Sequence, residues 1–279
     1  MNCASYAGVS DTGRVRHENQ DRWFADPQAG LYVVADGMGG CGAAGAVAAR
    51  VVVEILPRLL RPRLERLDNL RDACESVVSA IAELSDRLHR EAGKEYGPSG
   101  AGATVVLAVI RGRQALIAHL GDSRAYRFHN GEVEQLTRDH SLVQALIESG
   151  DIASDEAEHH PRRGQLTRYV GMPGEPLPEA RLIELADGDR LLLCSDGLSG
   201  ALGGEQLIDI IGRHPDPSDA CRQLVSAANE NGGKDNITAI VVGVGVGVGV
   251  GSRFRPTTNH MDNASPETTP DPLRRSPEP

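Results

Sequence analysis

Residues 31–42 read LYVVADGMGGCG, and this stretch decides the fold. Five apolar, largely β-branched or aromatic residues form a strand that stops at Asp36-Gly37, and a glycine-rich turn follows. Residues 43–60 are rich in Ala and Val and read as a helix. The same punctuation recurs downstream. The apolar run 114–120 (QALIAHL) ends on Gly121-Asp122, and 190–195 (RLLLCS) ends on Asp196-Gly197. Asp235-Asn236 opens the strand 237–244 (ITAIVVGV). Further strands are expected at 103–110 and 123–128. The short link Gly121-Asp122 predicts a hairpin between 115–120 and 123–127.

Residues 67–90 place Leu67, Leu70, Cys74, Val77, Ile81, Leu84 and Leu88 at three- and four-residue spacing, an amphipathic helix. Shorter helices are expected at 141–149, 205–212 and 217–231. Strands outnumber helices, and the helices come in blocks. That order predicts an α+β fold with antiparallel sheets and helices packed outside, not a doubly wound parallel sheet. Residues 1–245 are expected to form one domain. The run GVGVGVGVG from Gly243 could extend the last strand, although alternate glycines weaken it. Residues 246–279, rich in Pro, Thr and Ser, read as a disordered tail.

Composition narrows the function. The chain has 279 residues, 40% of them apolar and 3% aromatic, with 29 Lys+Arg against 39 Asp+Glu and a net charge of −10. So acidic and aromatic-poor a chain suits neither nucleic acid nor an anionic membrane surface. It would also repel a phosphorylated substrate, unless cations or a focused basic pocket reverse the field locally. The five cysteines form no C-x-x-C pair, so neither a zinc site nor a disulfide framework is expected. With no signal-peptide pattern and no run of about twenty apolar residues, a cytoplasmic protein without a membrane span is expected, working as a monomer.

A single Asp at a turn usually serves its own backbone. Four at the ends of apolar strands are different, because sheet edges gather strand ends and gathered carboxylates repel unless a cation intervenes. Oxygen ligands point to Mg²⁺ or Mn²⁺. The glycine loop matches no nucleotide-binding pattern, but it would let a backbone carbonyl such as that of Gly37 approach an ion. Arg16 offers a planar fork suited to phosphate.

These segments resemble a known family. Arg16-x-x-Asn19-Gln20-Asp21, Asp36-Gly37-Met38-Gly39-Gly40, Gly102-Ala103-Thr104, Gly121-Asp122-Ser123-Arg124, Thr137-Arg138-Asp139-His140-Ser141, Ser195-Asp196-Gly197-Leu198 and Lys234-Asp235-Asn236-Ile237-Thr238 occur in the order found in the metal-dependent protein phosphatases of the 2C type. The likeness is greatest to small bacterial members that oppose serine/threonine kinases. It implies a central β-sandwich of two antiparallel sheets flanked by helices, with a metal centre at one end. Asp36 would bridge two ions, the Gly37 carbonyl joining one of them. Asp196 and Asp235 would complete the ligand set of the other ion, and Asp122 with Asp196 would hold a third, weaker ion. Arg16 would grip the phosphate, while Asp21 and Asn236 would act through water or hydrogen bonds. Residues 139–165 would form a mobile flap. Phosphorylated proteins, a serine/threonine kinase among them, would be the partners. The chemistry implied is in-line attack on phosphorus by a water bridging two cations.

Two positions depart from the family pattern. Gln20 stands where some relatives carry glutamate, and Met38 where some eukaryotic relatives carry a histidine that could act as general acid. Other features carry less. Glu156-Ala157-Glu158-His159-His160 lacks H-E-x-x-H spacing and reads as a solvated loop. Ser195 lacks the G-x-S-x-G elbow, and His119 and His140 read as structural. Two competing functions are a phosphatase-like regulatory module without turnover and a hydrolase of small phosphoesters.

Overall fold

The structure, a computed structural model, describes residues 5–39, 43–67, 69–95, 100–157 and 159–245. The chain opens with strands β1 (Ser5–Asp11), β2 (Asp21–Asp26) and β3 (Leu31–Gly39), then helices α1 (Ala44–Leu64) and α2 (Leu70–Glu95). Strands β4 (Ala101–Ala103), β5 (Val105–Arg111), β6 (Gln114–Leu120), β7 (Arg124–His129) and β8 (Glu132–Gln135) follow. Helices α3 (Leu142–Ser149) and α4 (Ser154–Ala157) lead to β9 (Glu179–Glu184) and β10 (Arg190–Cys194). The last elements are α5 (Asp196–Ser199), α6 (Gly204–Arg213), α7 (Pro217–Glu230) and β11 (Ile237–Gly243).

The strands build two antiparallel sheets, in the orders β1-β11-β10-β7-β8 and β2-β3-β5-β6-β9, with β4 paired to β3. The continuous apolar runs have a direct cause: both faces of the central strands are covered. Val33, Leu107 and Leu116 turn outward to Val52, Leu56, Ile81 and Leu84 of α1 and α2. Their neighbours Val34, Val106 and Ile117 turn inward to Leu191, Leu193 and Ile240 of the opposite sheet. Leu192 and Val241 pack outward with Leu207 of α6 and Leu224 of α7. The result is the four-layered α+β sandwich expected from the element order.

The helices run on past the expected ends, to Leu64 and Glu95, and α2 begins at Leu70, not at residue 67; three features of the strands also differ from the sequence reading. Strand β3 does not stop at Asp36 but continues to Gly39, because β4 pairs with Gly37, Met38 and Gly39. The stretch 103–110 is split at Thr104, whose N–H donates to Asp36 O (2.8 Å) and whose hydroxyl accepts from Asp36 N (3.1 Å). The hairpin at Gly121-Asp122 does not form. Both edges of β6 are taken, by β5 and by β9, so β7 crosses to the other sheet and pairs with β10 and β8. Gly121 makes the crossing at φ +119°, and a Cβ there would lie 2.7 Å from the Thr104 side chain. Strand β11 ends at Gly243, and both the Gly-Val run beyond residue 245 and the tail lie outside the described residues.

Candidate active site

Five aspartates reach one end of the sandwich from both sheets. Asp36 lies in β3, and the β2–β3 register sets Asp21 directly opposite it. Asp122 follows β6 at the crossing between sheets, Asp196 opens α5 behind β10, and Asp235 stands just before β11. The loop between β1 and β2 brings Arg16 Nη2 to 2.7 Å from Asp235 Oδ2. Glycines let the backbones close in behind the carboxylates. A Cβ on Gly37 would sit 2.0 Å from Gly45 O, and one on Gly197 2.0 Å from Asn236 O.

The electrostatics of this cluster are unfavourable as it stands. Burial and the neighbouring Asp21, Asp196, Asp122 and Asp235 push the Asp36 carboxyl well above the usual carboxylate range. Burial raises Asp21 to about 7, with Asp196 and Asp235 adding to the rise and hydrogen bonds from Ser195 and Thr238 opposing it. Asp122 is raised to about 8 by burial and by Asp196 and Asp139. Asp196 is raised by burial and Asp235. Asp21 Oδ1 and Asp196 Oδ1 are buried without a hydrogen-bond partner among the described residues. Crowded, unpartnered carboxylate oxygens fit hard divalent cations, so the residues present suit the ions that the sequence resemblance implies.

Supporting groups surround the aspartates. Ser195 Oγ donates to Asp21 Oδ2 at 2.6 Å and accepts from Thr238 N at 3.0 Å, so this buried serine orients a carboxylate. Thr104 and Ser123 share a 2.6 Å hydroxyl contact behind Asp36 and Asp122. Arg124 grips Asp139 through two bonds of 2.9 and 2.7 Å, bringing the start of the 139–165 segment beside Asp122. The ends of that segment are tied together, with Leu142 N bonded to Gln165 O and Thr167 N to His140 O at 2.8 Å each. Roles for Thr104, Ser123, Asp139 and Ser195 were not assigned from sequence. Their only signal there was a place beside the aspartates in the quoted motifs, which does not say which oxygen each would meet.

Gln20 and Met38 take structural places. Gly37 N donates to Gln20 O, and the Gln20 side chain lies against Gly45. Met38 pairs with Gly102 in the β3–β4 ladder. His119, His140 and Glu179 bring one nitrogen or oxygen each within 4.8 Å, a grouping that resembles a metal triad. Hydrogen bonding argues against that. His140 Nδ1 accepts from Gly121 N at 3.2 Å, which leaves its proton on Nε2, 3.2 Å from Glu179 Oε1. His119 Nε2 lies 2.7 Å from Arg138 O, a carbonyl that can only accept. Both Nε2 atoms are therefore donors, and the stacked rings (4.5 Å between centroids) work as a structural tie. Glu156 and Ala157 close α4, and Glu158 lies outside the described residues.

An aspartate cluster flanked by an arginine at one end of a layered α+β sandwich fits a metal-dependent phosphate-ester hydrolase, and comparison with known proteins identifies the family. The chain belongs to the protein phosphatase 2C family, whose model matches residues 13–241, and is an enzyme of the protein phosphatase class. It is 35% identical over 240 residues to the serine/threonine phosphatase stp of Listeria welshimeri, spanning 84% of this chain and 93% of that one. It is 36% identical over 242 residues to the serine/threonine protein phosphatase PstP of Mycobacterium tuberculosis, spanning 85% of this chain and 44% of that longer protein. The structure also matches the catalytic domain of PstP in complex with two manganese ions, with a TM-score of 0.72 and 32% identity over 87% of this chain and 99% of that one.

Proposed function

We propose that this protein is a divalent-metal-dependent phosphatase that removes phosphate from phosphoserine and phosphothreonine in proteins, opposing a serine/threonine kinase. The observation that supports it most is the convergence of Asp36, Asp122, Asp196 and Asp235 beside Arg16, each carboxylate raising the cost of charging its neighbours. Asp36, Asp196 and Asp235, with the Gly37 carbonyl, would hold two Mn²⁺ or Mg²⁺ ions, and Asp122 with Asp196 a third. Bound there, the cations supply activation of water and offset charge on the phosphoryl oxygens.

The chain's own residues do the rest. Arg16, whose side chain is 57% exposed, stands at the mouth and offers its fork to two oxygens of the phosphate. Its present partner Asp235 would turn to the metal centre when the site is filled. Asp21 lies beneath Asp36 and is oriented by Ser195. Met38 carries no proton to give, and the Nε2 proton of His119 is taken by Arg138 O. The leaving seryl or threonyl oxygen then takes its proton from water.

We place the catalytic domain in residues 1–245 and read the enzyme as a cytoplasmic monomer. Among the described residues no helix is long and apolar enough to cross a membrane. The test is hydrolysis of a phosphothreonine peptide with Mn²⁺, with and without chelator, beside Asp36→Asn and Asp196→Asn. Metal-dependent turnover lost in both variants supports the reading. A folded, metal-binding wild type without turnover would leave a regulatory module, and a preference for small phosphoesters over phosphopeptides would replace the substrate class.

A further inference from the structure

One buried amide gathers the whole loop that carries Arg16. Asn236 is 5% exposed. Its Nδ2 donates to Thr12 O and to Glu18 O, each at 2.9 Å, and its Oδ1 accepts from Gln20 N at 2.7 Å. Both ends of the segment 12–20 are thereby pinned to the turn before β11. The same turn holds the middle of the loop, since Gly233 O accepts from Arg14 N (2.7 Å) and Val15 N (3.2 Å). Gly13 packs so closely that a Cβ there would lie 2.2 Å from Asp235 O.

The Arg16 side chain hydrogen-bonds Asp235, a carboxylate wanted by the metal centre. A carboxylate that cations also draw on is a weaker anchor for Arg16 than an uncharged amide bonded to the loop backbone. The geometry points to Asn236 as the positioning residue for Arg16: it fixes the loop backbone so that the guanidinium stays over the site whether or not it is paired. Only asparagine combines two donors and an acceptor on so short a stem. Aspartate would set a carboxylate against two carbonyls, and an apolar residue would strand three backbone groups. This inference rests on the reading of Arg16 as the phosphate ligand.

The experiment is a double-mutant cycle with two readouts. Asn236→Ala and Arg16→Ala, singly and together, are assayed on a phosphothreonine peptide at saturating Mn²⁺, with Mn²⁺ affinity measured by calorimetry. Amide hydrogen exchange of residues 12–20 is followed in the same proteins. The expected result is a rise in KM of about tenfold for either single variant, with kcat less affected and Mn²⁺ affinity unchanged. The double variant is expected to be no worse than Arg16→Ala alone, and exchange at Arg14, Val15 and Gln20 faster in Asn236→Ala. Asn236→Asp, which keeps the acceptor but sets a charged oxygen against the two carbonyls, is expected to loosen the loop likewise and carries the exchange and KM measurements if the alanine variant does not fold. Additive losses, unaltered exchange in the loop, or weakened Mn²⁺ binding as the main effect would each overturn the inference. A wild type inactive on the peptide would sink the phosphatase reading instead, and loop exchange would still decide the clamp.

Discussion

Asp21 and Asp36 face each other across neighbouring antiparallel strands, in register, with Asp21 1% exposed. Like charges so placed destabilise a sheet. Ser195 supplies one hydrogen bond to Asp21, and the other oxygen has no hydrogen-bond partner among the described residues. Burial and mutual proximity raise both carboxyls, a cost in stability that a cation bound nearby would relieve.

Neutralising one member should therefore separate stability from activity. In chelator, Asp36→Asn is expected to melt higher than the wild type, by about 1 kcal/mol. With Mn²⁺ the same variant should lose several kcal/mol of transition-state stabilisation, about 10³-fold in turnover. Thermal melts in EDTA and in Mn²⁺, beside phosphopeptide assays, check both halves.

The raised carboxyls also set a pH dependence. Asp21 and Asp122 titrate at about 7 and about 8 in the folded chain, against about 3.9 unfolded. The native state thus holds more protons than the unfolded one between these values, and metal-free stability falls as pH rises through 7 and 8. His140, lowered to about 4 by burial, His119 and Arg168, has the opposite slope from there to about 6.5. The clean window is above that. Denaturant midpoints in chelator are expected to fall from pH 6.5 to 8.5, and saturating Mn²⁺ should flatten the trend.

The glycines behind the aspartates should resist substitution. A Cβ at Gly197 meets a backbone oxygen at 2.0 Å, whereas one at Gly164 has nothing within 4 Å among the described residues. Gly197→Ala is expected to lower stability by about 2–3 kcal/mol, and Gly164→Ala to change it by less than about 0.5 kcal/mol. Urea titration of the two variants measures the difference.

Ser195→Ala removes the donor to buried Asp21 and the acceptor for Thr238 N. The expected cost is about 1–3 kcal/mol from the groups left unpaired. Turnover should fall far less than in Asp36→Asn. A loss as large as that of Asp36→Asn would make Ser195 part of the chemistry.

Much of the fold was legible because its central strands are apolar on both faces and its long helices keep their spacing. Strands β1, β2, β8 and β9 were not. In β9 the charged Glu179, Arg181 and Glu184 dilute the apolar signal. In β1 Gly8 is small because the Trp23 ring of the opposite sheet lies over it, 2.9 Å from a would-be Cβ. The second cause is not visible without the partner strand.

The sequence by itself determined the chemistry available: aspartates at the ends of strands, glycines beside them, an arginine upstream, and apolar runs that could only be buried. Tertiary structure decided which of these meet. The Gly121 connection reads locally as a hairpin, yet β9 occupies the edge that β7 would need and sends it to the other sheet. That crossing sets Asp122 among carboxylates from both sheets. Asn236 and Gln20 are 216 residues apart and share a 2.7 Å bond. Local propensity acts over a few residues, whereas edge occupancy and long-range hydrogen bonds depend on the whole chain being folded at once.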